Sequence, residues 1–262
     1  MKTKIVLFLL SITILLSAAS NTIDIVNSRR LYDLTFSNGY YYFSALCPNY
    51  TDDIQTKELM FVAQEVLRFL DLKLVSGSYD QTYGSYMLAD FRVKAEIDMM
   101  QIEGLATYLQ VESYQRTDLG TVLCVKISES SMSELWSRYA RGSEMPRFDL
   151  EFPDESSEQV TPSWFRKPPQ VSGYIIGIGY YAHMSNVSDL FKNSDYMARL
   201  EVINSLGVKI KSHLNDFMEN DFELTSFYAN QTSSSRISGI YIIKRFYNKR
   251  LRIAFSLAAY KL

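Results

Sequence analysis

A chain of 262 residues, 47% hydrophobic and 21% charged, can make one large domain or two of ordinary size. Its formal charge of −2 excludes the strongly charged, weakly hydrophobic class that stays disordered. The same balance argues against nucleic acid as a partner, because phosphate binding needs a basic surface. The 19 Tyr and 15 Phe favour a substantial share of sheet, where aromatic rings pack well on a half-buried pleated surface.

In chain order, the first feature is a targeting segment. Lys2 and Lys4 precede an apolar run from Ile5 to Leu16, and Ser17-Ala18-Ala19-Ser20 supplies the small residues a signal peptidase requires. The reading is a signal peptide over 1–20, cleaved near Ala19 or Ser20. The run is shorter than the roughly 20 residues that span a bilayer. No later stretch is long and apolar enough to cross, and no cysteine near the cleavage site offers a lipid anchor. Cleavage removes two lysines and leaves 25 basic against 29 acidic residues.

Next comes an internal repeat. Glu65-Val66-Leu67 through Lys73-Leu74-Val75-Ser76 lies on Glu201-Val202-Ile203 through Lys209-Ile210-Lys211-Ser212 at a constant offset of 136. Upstream, Gly39-Tyr40-Tyr41-Tyr42-Phe43 matches Gly173-Tyr174-Ile175-Ile176-Gly177; downstream, Gly104-Leu105 and Gly239-Ile240 each open a strand pair. Each half therefore reads strand, long helix, a second helical or irregular segment, and an antiparallel hairpin. Leu59, Ala63, Val66 and Leu70 fall on one helical stripe, as do Ala198, Val202, Leu206 and Ile210, with Phe91, Ala95, Met99 and Ile102 making a third. The predicted hairpins are Leu105–Ser113 with Gly120–Ile127, and Ile240–Phe246 with Leu251–Ala259. Alternation in the last strand predicts one buried face (Leu251, Ile253, Phe255, Leu257) and one open face.

These readings predict an α+β fold of two tandem repeats, each a small, largely antiparallel sheet packed on a long helix. The first repeat occupies 21–143 and the second 160–262. Between them, 144–159 carries Asp149, Glu151, Asp154, Glu155 and Glu158 and reads as an acidic, hydrated linker.

Cys47 and Cys124, 77 positions apart, both fall in predicted strands. Export permits a disulfide between them without requiring it; on the chain-entropy view, a loop of that size would stabilise by about 4 kcal/mol. Leu123, Val125 and Ile127 share one face, placing Cys124 on the other.

Candidate chemistry is sparse. Gly177-Ile178-Gly179-Tyr180-Tyr181-Ala182 fits a dinucleotide fingerprint in letters, but that site needs the turn to lead directly into a helix. Two tyrosines and a polar stretch intervene, so the glycines read instead as room for a helix to approach the strand. His183 and His213 have no Cys/His cluster around them for a metal, and no G-x-S-x-G elbow is present. Asp52-Asp53 suits a helix N-terminus, and Asp154-Glu155 sits in the linker. N-x-S/T sequons begin at Asn49, Asn186 and Asn230. No catalytic, cofactor or metal residue is assigned.

The second half places Pro162-Ser163-Trp164 and Pro168-Pro169 before Tyr174-Ile175-Ile176-Gly177-Ile178-Gly179, followed by Ala198-Arg199-Leu200-Glu201 and a closing hairpin from Ser238-Gly239-Ile240. Over residues 160–262 that order resembles the twenty-kilodalton envelope lipoprotein family and the N-terminal domain of the flagellar T-ring protein FlgT. The first half joins the resemblance through the repeat and lacks the P-x-W opening. The resemblance implies a periplasmic envelope protein, structural or motility-associated, with no enzymatic role and no transferred catalytic residue. Members often carry a lipid anchor; this chain has no anchor cysteine.

The expected function is a non-catalytic structural or assembly component docking to envelope or motility-complex proteins, with self-association as a variant. Trp164 reads as a core plug or a partner-contact anchor, and Tyr180 and Tyr181 as partner contacts. The alternative is a binding protein for a small molecule or glycan, held between the repeats, with Tyr40, Tyr41, Tyr42, Tyr180 and Tyr181 as stacking surfaces.

Overall fold

The computed structural model describes residues 35–48, 54–73, 99–140, 145, 146, 148, 150, 152, 160–182, 184, 186–217 and 236–262. Residues 1–20, where a signal peptide is expected, Phe91, Ala95 and most of the expected linker lie outside them.

Two short strands open the described chain, β1 (Thr35–Ser37) and β2 (Tyr40–Cys47). Asn38 and Gly39 join them with φ of 52° and 76°, the pair of positive angles that lets a two-residue turn follow strand twist. Helix α1 (Ile54–Leu70) follows. Ala63, Val66 and Leu70 are fully buried along its predicted stripe, and Leu59 packs against the same core. After β3 (Leu72–Lys73) come α2 (Met99–Ala106), β4 (Gln110–Arg116) and β5 (Thr121–Ser128). The predicted hairpin is present but starts later than Leu105: Gly104 and Leu105 lie in α2, where Ile102 and Leu105 are buried. Ser128 then caps α3 (Glu129–Tyr139) by accepting the Ser131 amide at 3.2 Å.

The second unit runs α4 (Ser163–Arg166), β6 (Tyr174–Ala182), α5 (Val187–Phe217), β7 (Arg236–Ile237), β8 (Tyr241–Asn248) and β9 (Ile253–Lys261). The fold is α+β, with helices and two small antiparallel sheets, ordered β1-β2-β5-β4 and β6-β9-β8.

The core strands of the two sheets correspond. In each, the first strand pairs with the last strand of the following hairpin. Each hairpin carries a register shift at the same place, at Glu112 in β4 and Ile243 in β8. Gly39 and Gly173 precede the first strands at φ 76° and 79°. Their carbonyls accept the amides of Glu129 and Leu262, each at 2.9 Å, just past β5 and β9.

The units share a core. Tyr41, Phe43, Leu123, Val125 and Ile127 pack in one cluster with Tyr241, Phe246, Phe255 and Leu257. A short ladder, Leu72 with Ile237 and Lys73 with Arg236, ties β3 to β7. The Gly239 amide donates to the Phe69 carbonyl at 2.9 Å. The hydrated-linker expectation needs correction at its described residues, because Met145, Phe148, Leu150 and Phe152 pack against this cluster. The Phe148 ring lies 5.7, 5.6 and 4.8 Å from those of Tyr41, Phe69 and Tyr241.

The last strand also differs from its prediction. Phe255 and Leu257 face the shared core, but Ala254, Ser256 and Ala258 are buried too, because α5 covers that side. Small residues let a helix lie close, and alternation with polar-looking Ser256 disguises a strand covered on both faces.

Candidate functional site

The glycines of the dinucleotide-like motif are occupied by packing. A Cβ on Gly177 would stand 2.2 Å from the Ala198 carbonyl oxygen, and one on Gly179 would stand 2.1 Å from that of Ser194. Helix α5 rests directly on the β6 backbone, as the close-packing interpretation requires.

The cysteines stand apart. Cys47 pairs with Thr121 and Cys124 with Ser44 across the β2–β5 ladder. Cys47 points with Phe43 and Ala45 into the shared core, and Cys124 points to the opposite face. Both are free and buried, which corrects the disulfide expectation. Burial, then the nearby Glu58 and Glu65 charges, push the Cys47 thiol far above its ordinary value.

Trp164 is only 4% exposed and belongs to the shared core. It is a plug, and the partner-contact expectation for it is corrected. Tyr180 and Tyr181 are 58% and 37% exposed, with Phe165 edge-on to Tyr180 at 5.6 Å. Of the three early tyrosines, Tyr41 is buried, which takes it out of any stacking surface. Asn186 is committed as a cap, its Oδ1 accepting the Ser188 amide at 3.0 Å and the Ser188 hydroxyl at 2.9 Å. His183, Asp52, Asp53, Asp154, Glu155, Asn49 and Asn230 lie outside the described residues. So does the side chain of His213. Among the described residues, no group of three or more His, Cys, Asp or Glu side chains could hold a metal.

The junction between the units holds a buried ionic network. Arg199 on α5 donates from Nη2 to Glu65 Oε2 on α1 at 3.1 Å, and Arg68 also pairs with Glu65. Asp195, one turn earlier on α5, takes the Arg245 guanidinium at 3.0, 3.0 and 2.7 Å and the Ser256 hydroxyl at 2.5 Å. Burial alone would raise the Glu65 carboxyl, but Arg68, Arg199 and Arg245 outweigh it and hold it down at about 2. The cavity beside this network is about 30 Å³, room for a water but not for a small molecule.

An open cleft of about 540 Å³ lies elsewhere between the units. One wall is the β4–β5 turn with Asp118 and Leu119; the other holds the start of α5, Tyr247 near the end of β8, and the β8–β9 turn with Lys249 and Arg252. Both turns are braced. Thr117 accepts the Leu119 amide on its hydroxyl at 3.2 Å while that hydroxyl donates to the Gly120 carbonyl at 2.6 Å. In the other turn, Asn248 Oδ1 accepts the Leu251 amide at 2.8 Å and Nδ2 donates to the Val160 carbonyl at 2.9 Å. Arg252 donates to the Met184 carbonyl at 3.0 Å. Burial raises the Tyr247 phenol above its ordinary value, and the charge and hydrogen bond of Arg252 oppose that rise. The sequence reading missed this cleft, since its charged residues sit in turns scattered along the chain.

The second exposed feature is β4. Among the described residues it is the outer strand of its sheet, and all seven of its residues are exposed, including Val111 at 56% and Tyr114 at 44%. Its counterpart β8 is buried along all eight residues, because α5 packs on one face and the core shared with the first unit covers the other.

The described helices include none long and apolar enough to cross a membrane. No family model matches the chain, and the searches of curated proteins and of solved structures return no similar one.

Proposed function

We propose that this chain is an exported, non-catalytic protein of the periplasm and cell envelope, a structural or assembly component of a motility-associated (flagellar) or related complex. We further propose that its two units arose by duplication, consistent with their shared strand order, matched register shifts and matched glycines. The observation that carries the functional reading is the contrast between β4 and β8. The same strand is covered in one unit and left open in the other. An open outer strand can take a partner's extended segment by main-chain hydrogen bonding, with Val111 and Tyr114 as side-chain contacts. The register shift at Glu112 twists the strand locally, which limits indiscriminate pairing. The order of motifs over 160–262 adds the resemblance to the twenty-kilodalton envelope lipoprotein and FlgT N-terminal families. Envelope fractionation with co-purification tests this. A chain found in no envelope complex, whose loss leaves envelope and motility intact, would sink the proposal.

A second reading, a small-molecule or glycan binding protein, is favoured by the open cleft between the units. Its volume falls within the range of ligand sites. The water-sized cavity at the ionic junction does not support it.

A further inference from the structure

We infer that the inter-unit cleft is a site for a small ligand bearing an oxyanion, a carboxylate or phosphate group, held by Lys249 and Arg252. This rests on the second reading above and names its ligand class. The cleft's second-unit wall presents two cations. Arg252 is positioned rather than loose. Its backbone takes φ of 52°, and its guanidinium is anchored to the Met184 carbonyl and to the Tyr247 phenol. That anchoring holds a planar, permanently charged fork in one place, which suits oxyanion recognition. Lys249, exposed at the start of the same turn, supplies a mobile point charge. Asp118 faces them from the first unit. As the one acidic side chain among the described lining residues, it lowers affinity for a bare anion and favours ligands with a hydroxyl or amine at their other end. Bound across both turns, such a ligand would bridge the units and stabilise their packing.

Inorganic phosphate is the first probe, titrated calorimetrically into the full mature chain at constant ionic strength set with sodium chloride. The expected result is saturable binding that Lys249→Gln weakens by about tenfold and Asp118→Asn strengthens, with both variants unfolding at the wild-type midpoint when phosphate is absent. Phosphate binding no different from chloride, or equal binding by Lys249→Gln, overturns the oxyanion assignment. A neutral sugar that binds wild type and is lost in Tyr247→Ala would retain the cleft as a site while overturning the ligand class. No binding by phosphate, carboxylates or sugars removes both.

Discussion

Arg199 and Glu65 lie 134 positions apart and meet at 3.1 Å in the buried junction between α5 and α1. Glu65 was legible as part of the expected repeat, but nothing local announces its partner. The pair fastens one unit to the other, and Arg245, Asp195 and Ser256 extend the network from α5 into β8 and β9.

Removing Arg199 takes away one of the two arginines paired with the buried Glu65 carboxylate and leaves Arg68 in place. Arg199→Met is expected to destabilise the chain by about 1.5–3 kcal/mol in denaturant unfolding, the range for a hydrogen bond to a charged group. The double variant Arg199→Met with Glu65→Leu is expected to recover a large part of that loss, giving a coupling energy well above zero in a double-mutant cycle.

The same pair sets an acid limb. The folded-state value of Glu65, about 2, lies below its ordinary 4.5. Its contribution is therefore complete above pH 4.5 and is lost as the pH falls through about 2. Urea midpoints measured across that window should drop for the wild type. The Glu65→Gln variant, less stable at neutral pH, should show a shallower drop.

The two strand glycines give a sharper test of packing. Gly177→Ala and Gly179→Ala place a methyl against the backbone of α5, and each is expected to cost about 2–3 kcal/mol. Gly104, in the exposed face of α2, meets nothing within 4 Å. Gly104→Ala should instead stabilise by about 0.5–1 kcal/mol. Thermal unfolding of the three variants separates a close-approach glycine from an ordinary helical one.

The thiols should behave as two separate buried groups. Alkylation in denaturant without reductant is expected to label both Cys47 and Cys124, and native labelling to be slow. A reductant should leave the melting temperature unchanged. A mass two hydrogens short, with no labelling, would contradict the register of β2 and β5.

How much was readable in the sequence follows from which interactions are local. The stripes through Ala63, Val66 and Leu70, and through Ala198 and Val202, were legible because helical periodicity reports burial directly. So was the face of Leu123, Val125 and Ile127, which correctly put Cys124 on the other side. The Asn38-Gly39 turn carried a usable hairpin signal that the sequence reading passed over. Three features were not local. Burial of Ala254, Ser256 and Ala258 depends on α5 crossing from elsewhere in the chain. Phe148 enters the core from a stretch whose acidic neighbours read as hydrated. Asp118, Lys249 and Arg252 meet only because two turns far apart in the chain flank one cleft.

The measurement that tests the central claim most directly is site-specific photocrosslinking in living cells, with the probe placed at Val111 or Tyr114 and a control probe at Ser137, on the exposed face of α3. The account predicts a discrete covalent adduct from the β4 positions, absent from the control, whose partner is an envelope or motility-complex protein. Adducts no different from the control, in a cell where the chain is exported and folded, would contradict docking through β4.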